Sequence, residues 1–304
     1  MNPAQALLFA VDPAQALLFA IGGLSNAAYL FIVTAGLSLV FGALRVINMA
    51  HGSLYMIAAF VTVVVAGKLG LTFGFWGGLL AALVLTGIVG AVIEIVVLRR
   101  VYRAEHLVQL LGTYALTLII AGLVRIVFGP NYRTMKPPEV FGGSLSIAGF
   151  SYSVYSFVMI GAAILIAVGV YLMLYRSPLG RNIRAAVSDP ELLSASGIDV
   201  ARLFTTVFVI GACLAALGGV IVAPSQAVGS SMDTDVLVLA FAISVIGGLG
   251  SIIGSLVGSV IVGEVYSFGL ENSYTNQFAL AFVFIIMAAV LIVRPWGLVG
   301  TPEQ

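Results

Sequence analysis

Apolar residues run along this chain in uncharged stretches of membrane-spanning length, and polar residues gather in the breaks between them. The run IGGLSNAAYLFIVTAGLSLVFGAL, from Ile21 to Leu44, is long enough to cross a bilayer. It stops at Arg45, and RVINMAHGSLYM follows, where Arg45, Asn48, His51 and Ser53 interrupt an otherwise membrane-like sequence. Polar groups at such depth are tolerated only where they face protein, a cavity or an interface. Further spans are predicted over residues 54–67, 73–98, 107–127, 154–174, 203–223 and 278–293.

Between the last two of these the pattern changes. VLVLAFAISVI is only half a span, Gly247, Gly248 and Gly250 follow, and an apolar run then continues to Gly269. Two crossings fit there if a short helix breaks at these glycines, either lining a transport path or packing closely through small residues. The pattern as a whole predicts an all-α, polytopic integral membrane protein of about eight to ten transmembrane helices with a broken or re-entrant glycine-rich segment.

One stretch is unfit for a bilayer: residues 176–203, within RSPLGRNIRAAVSDPELLSASGIDVARLF. Pro178 and Gly180 end the preceding span. Arg181, Arg184 and Ser188 then fall on one edge of a helix, and Ile183, Ala186 and Val187 on another. Asp189 reads as an N-cap with Pro190 at the first helical position and Glu191 beside the positive end of the dipole. Gly197 suits the left-handed stop, and Asp199 can cap the next span. A helix with a basic and an apolar face is either an interfacial anchor or a docking element. The acids Asp189, Glu191 and Asp199 favour docking, because an anionic lipid surface would repel them.

Composition agrees: 61% of residues are hydrophobic, 8% are charged and the mean hydropathy is +1.17, against roughly 25% charged in soluble domains. A net charge of +1 gives no reason to expect a nucleic-acid partner. Basic residues near span ends mark cytoplasmic loops. Arg99, Arg100 and Arg103 mark one, and Arg176, Arg181, Arg184 and Arg202 another, which puts residues 129–153 and 224–235 outside. The octapeptide PAQALLFA occurs at Pro3–Ala10 and again at Pro13–Ala20. Without a basic n-region it is a poor signal peptide. Residues 1–20 are expected to form an additional or surface helix feeding a single transmembrane domain at residues 21–300, with 301–304 as a tail.

No catalytic or metal-binding constellation is legible. Lys68 and Lys136 are the only lysines, and neither stands in a phosphate-cradling GxxxxGK motif. His51 and His106 are the only histidines and have no acid at a shared ligand spacing. His51 is expected to play a hydrogen-bonded structural role. Cys213 has no intrachain disulfide partner. Glu94 and Glu264 lie in apolar runs close enough to span ends to snorkel, and Arg125 is placed to pair with Glu264.

Four segments carry a resemblance. GLSLVFGALRVINMAHGSLYMIAAF (Gly36 to Phe60), SPLGRNIRAAVSDPELLSASGIDVARLF (Ser177 to Phe204), GGLGSIIGSLVG (Gly247 to Gly258) and VRPWGLVG (Val293 to Gly300) together resemble the permease subunits of branched-chain amino acid ABC importers. Met49 and Ser53 depart from the family pattern, which often has an aromatic and an acid there. The resemblance implies a multi-pass permease of the bacterial inner (cytoplasmic) membrane, paired with an identical or similar permease, two ATP-binding subunits inside and a periplasmic solute-binding protein outside. ATP and Mg would be bound by the partner subunits, with no cofactor in this chain. The loop with Arg181, Arg184, Asp189, Pro190, Glu191 and Gly197 then matches the coupling segment that contacts the ATPase. Candidates for the translocation path are Asn26, Ser38, Asn48, His51, Tyr55, Ser244, Gly247, Gly248 and Gly250. Related permeases carry urea and short amides, which stands as the alternative cargo. An ion-coupled carrier would have only Glu94, Glu264 and His51 to work with.

Overall fold

A computed structural model describes residues 13–102, 104–147, 150–271 and 276–300. Arg103, the first PAQALLFA copy and the 301–304 tail lie outside the described residues. In chain order the helices are α1 (Pro13–Leu44), α2 (His51–Leu69), α3 (Leu71–Val101), α4 (His106–Phe128), α5 (Val154–Arg176), α6 (Pro178–Ser188), α7 (Pro190–Ala195), α8 (Val200–Val222), α9 (Met232–Gly247), α10 (Ile252–Glu271) and α11 (Ala279–Val293). Among the described residues, eight helical segments are long and apolar enough to cross a membrane. The 16-residue α9 is not one of them.

The second PAQALLFA copy is not a separate helix, because Pro13–Leu44 is continuous. Phe19, inside that copy, meets Phe268 of α10 edge to face at 5.4 Å between ring centroids. Apolar residues on both sides of Ile21 leave no reason for the helix to break there. The loop at 129–153 is likewise less irregular than its prolines and glycines suggest. It holds a two-stranded antiparallel hairpin, Ser144–Ile147 against Phe150–Ser153, with Leu145 opposite Tyr152.

Helix α1 is the axis of the bundle. Its middle is fully buried, chiefly between α8 and α10 with α5 and α9 beside it, whereas α3, α4, α5 and α11 turn long apolar faces outward, as at Leu80, Leu118, Leu165 and Ile292. Small residues allow this closeness. A Cβ on Gly36 would lie 2.6 Å from the Gly211 carbonyl oxygen of α8, and one on Gly263 of α10 would lie 2.7 Å from the Gly23 carbonyl oxygen. Backbones in such contact gain dispersion that a lipid-exposed surface cannot replace.

Helix α2 does not start at the membrane edge. After Leu44 the chain turns through Arg45, whose φ is 53°, and climbs back along α1 until His51 lies beside Val33. Val33 is eleven residues before the end of α1, roughly 16 Å along its axis. The break therefore buries Asn48, His51 and Ser53 inside the bundle while Arg45 stays exposed, and the helix starts at His51, earlier than the span predicted from residue 54.

The two ends of the bundle differ in charge. Thr205 near the start of α8 touches Glu94 near the end of α3, Gly180 of α6 packs on Leu174 of α5, and Gly42 of α1 packs on Gly250. These contacts gather Arg45, Arg99, Arg100, Arg176, Arg181, Arg184, Arg202 and Arg294 at one end, against Lys68, Arg125, Arg133 and Lys136 at the other. We refer to them as the basic and the opposite end.

Candidate functional site

At the basic end, α6 and α7 form the two-helix loop anticipated from the sequence. Ser177 caps α6 by accepting from the Gly180 amide (3.1 Å), with Pro178 in the first turn. Asp189 Oδ1 accepts from the amides of Glu191 (3.0 Å) and Leu192 (2.9 Å), which fixes the start of α7. Gly197 takes a φ of 85°, and Asp199 caps α8 through the Arg202 amide (3.0 Å) while pairing with its guanidinium (2.9 Å). The buried edge holds Ile183, Ala186 and Leu193, packed with Leu39 and Ala43 of α1, Val170 of α5 and Leu203 and Val207 of α8. The loop thus rests on the ends of three spans.

Its outward edge carries Arg181, Asp189, Pro190, Glu191 and Leu192. Arg184 behaves differently from its neighbours. Its Nη1 donates to the Leu174 carbonyl and its guanidinium lies 5.7 Å from the centre of the Tyr175 ring, so it folds back onto the last turn of α5. A cation there complements the helix C-terminus. Gly180 also binds α6 to α5, since a Cβ there would fall 1.9 Å from the Leu174 carbonyl oxygen.

Toward the opposite end lies a cavity of about 510 Å³, lined by Asn26 and Tyr29 of α1, Tyr55 of α2, Gln226, Asp235 of α9 and Tyr266 of α10, with aliphatic side chains between them. Its rim includes the loop at 226–232, which is tied to Arg133 by paired backbone bonds between Arg133 and Val228 (2.9 and 2.8 Å). A smaller cavity of about 260 Å³ lies at the basic end, under α6, where Gly42, Tyr175, Val187 and Ser251 line it.

On the inner side of the smaller cavity, which Ser38 also lines, three buried serines meet. Ser38 Oγ lies 2.6 Å from Ser255 Oγ and 3.4 Å from Ser244 Oγ. Ser255 Oγ donates to the Ser251 carbonyl (3.0 Å), so Ser38 supplies the proton of the short contact. Along α1 the order is Asn26 and Tyr29 at the larger cavity, Ser38 at the serine contact and Gly42 at the smaller cavity. Beside the serines α9 ends at Gly247, with Gly248 and Gly250 at φ of 107° and 81°. A Cβ on Gly247 would sit 2.2 Å from the Gly254 carbonyl oxygen. The chain end closes over this turn through Leu298 N–H to Ile246 O (2.8 Å) and Val299 N–H to Gly247 O (3.0 Å).

The path candidates therefore divide. Asn26 and Tyr55 line the larger cavity, and Ser38 and Ser244 form the contact beneath it. Asn48 and His51 do neither: Asn48 Oδ1 accepts from the Ala50 amide (3.1 Å), and His51 Nε2 donates to the Val33 carbonyl (2.9 Å). Both stabilise the internal start of α2. Next to them Ser53 Oγ donates to Asp233 Oδ2 (3.2 Å), and Gly52 packs against the Asp233 backbone.

Two expectations for acidic residues need correction. Arg125 does not pair with Glu264; its Nε donates to Ser230 Oγ (3.1 Å), while Glu264 lies beside Gly23 of α1. Glu94 does not snorkel. It is fully buried, and its carboxylate accepts from Arg99 Nη2 (3.1 Å), Tyr102 OH (2.9 Å) and Thr205 Oγ1 (2.7 Å). A π-helical turn at Glu94–Leu98 brings Arg99 round to the face of Glu94. Burial, and then the Glu94 carboxylate, push the Tyr102 phenol well above its ordinary range, so it remains a donor. Ser255, Asp235 and Thr205 carried no advance signal, because their neighbours come from distant parts of the chain.

A family model described as branched-chain amino acid transport system / permease component matches residues 19–291. The chain is 27% identical to a high-affinity branched-chain amino acid transport system permease protein, BraD, of Pseudomonas aeruginosa, over 93% of this chain and 95% of that one. It is 28% identical to the corresponding LivH protein of Escherichia coli, over 92% and 94%. It is also 26% identical to a fructose import permease protein, FrcC, of Rhizobium meliloti, over 91% and 75%. With its spans, its capped loop and a family match over nearly its whole length, this chain belongs to the permease components of branched-chain amino acid transport systems.

Proposed function

We propose that this chain forms the translocation path of an ATP-driven importer for branched-chain or other hydrophobic amino acids. The observation that carries the reading is the α6–α7 loop, which is capped at each helix start, seated on the ends of α1, α5 and α8, and exposed at Arg181, Glu191 and Leu192. A surface so braced transmits force from a docked protein to three spans at once. The basic end faces the cytoplasm by the excess of arginine there. Two ATP-binding subunits, which hold ATP and Mg, dock on that end. A second permease, identical or similar, completes the membrane portion in a bacterial inner membrane, and a solute-binding protein delivers cargo to the opposite end.

Transport in this reading is alternating access. The larger cavity receives cargo from outside, the contact of Ser38, Ser244 and Ser255 closes the way inward, and movement of α6 and α7 opens it toward the smaller cavity. The test is uptake of labelled leucine into proteoliposomes carrying this chain, with and without the partner subunits and ATP. Uptake only with both is expected. Uptake by the isolated chain, or α6 labelled by impermeant thiol reagents from the outside, would overturn the reading.

A further inference from the structure

We infer that Asp235 receives the ammonium group of the transported solute in the larger cavity. The inference rests on the proposed transport function and names the chemistry its cargo must carry. Asp235 is the one charged side chain among the described residues lining that space. Its carboxylate has no ion pair and no hydrogen-bond donor among the described residues. Asp233, two positions earlier, is in contrast buried and held by Ser53 and the Thr234 amide. Two guanidinium groups at the same end of the bundle are held elsewhere, Arg125 by Ser230 and Arg133 by the Phe128 carbonyl.

The rest of the lining fits the same ligand. Tyr29, Tyr55 and Tyr266 present rings and hydroxyls, and a carboxylate among aromatic rings is suited to an ammonium ion, which gains both a charge-assisted hydrogen bond and attraction to the ring faces. Val236, Leu239 and Leu280 supply an aliphatic surface. At about 510 Å³ the cavity lies within the roughly 300–1,000 Å³ of small-molecule sites. Together these favour a protonated primary amine carrying a branched aliphatic chain. A neutral hexose or urea can donate hydrogen bonds to a carboxylate but brings no charge to balance it, so the unpaired Asp235 favours a cationic group over a neutral one.

The experiment uses the assembled transporter with its binding protein in proteoliposomes, in a Cys213→Ala background. Cys213 points at the Leu83 carbonyl, away from the cavity. Asp235→Asn and Asp235→Cys should each lower leucine uptake about tenfold, the size of one charge-assisted hydrogen bond. Asp235→Glu should retain most of it. Treating Asp235→Cys with an ethylsulfonate thiol reagent restores a negative charge and should recover uptake severalfold, while the trimethylammonium reagent should not. Undiminished uptake by Asp235→Asn, or equal effects of the two reagents, would overturn the inference while leaving the transport function intact. Loss of binding-protein-stimulated ATP hydrolysis in step with uptake would also overturn it, by placing Asp235 at the protein contact. A parent transporter that carried a neutral sugar and no amino acid would overturn both readings.

Discussion

Thr205 Oγ1 lies 2.7 Å from Glu94 Oε2, and that bond joins the first turns of α8 to the π-helical end of α3. Arg99 and Tyr102 complete the shell around the carboxylate. Because α8 begins directly after the α6–α7 loop, Glu94 fixes the helix through which that loop meets the bundle. Arg99 is 40% exposed and can turn to water when Glu94 is removed, so the cost comes mainly from the acceptor lost to Tyr102 and Thr205, about 1–3 kcal/mol. Glu94→Ala is expected to lose stability on that scale in thermal unfolding in detergent. Glu94→Gln, which keeps the shape and part of the hydrogen bonding, should lose less.

Gly180 leaves no room for a side chain against Leu174. Gly180→Ala should lift α6 from α5 without disturbing the spans, so the protein should insert normally and lose coupling. Uptake should fall far more than the ATPase activity of the assembled complex. Equal and normal values for both would contradict the role assigned to the loop.

Asp189 and Glu191 separate fold from docking in the same loop. Asp189→Ala removes an N-cap and should cost about 1 kcal/mol, confined to α7. Glu191 is exposed, so Glu191→Lys should leave unfolding unchanged and reduce co-purification of the ATP-binding subunits. Tight co-purification of that variant would exclude Glu191 from the contact.

The serine contact can be locked. Ser38→Cys with Ser255→Cys, in a Cys213→Ala background, places two thiols where the hydroxyls lie 2.6 Å apart. Oxidation should stop uptake and reduction should restore it. Full uptake after complete cross-linking would show that cargo does not pass between α1 and α10.

The spans and the loop were legible in the sequence because their signals are local. Asp189, Pro190 and Gly197 state helix starts and stops within a few residues, and Gly247 to Gly250 do the same for the break after α9. Their hydroxyls in apolar spans made Ser38 and Ser244 candidates for the path, yet the sequence could not pair them, since 206 residues separate them. Arg184 illustrates a different limit. Its charge and helical position suggest a docking residue, and its side chain is exposed, yet its reach of several bonds also lets it bond a carbonyl of the preceding helix, which spacing does not reveal. Glu94 was misread for a similar reason: the π-helical turn that brings Arg99 to it shifts the helical register on which side-chain spacing depends.

The internal start of α2 bears on how this protein is made. Ser53 is held by Asp233, 180 residues further along the chain, and Gly52 lies against the same residue. At about 5–20 residues per second, the ribosome needs roughly ten to forty seconds to produce that partner. During this interval α2 to α8 are completed in turn, yet the Ser53 hydroxyl still lacks its acceptor. Biogenesis of this protein therefore includes a waiting period in which an insertase, or water at the translocon, must accommodate polar groups that the finished bundle later encloses.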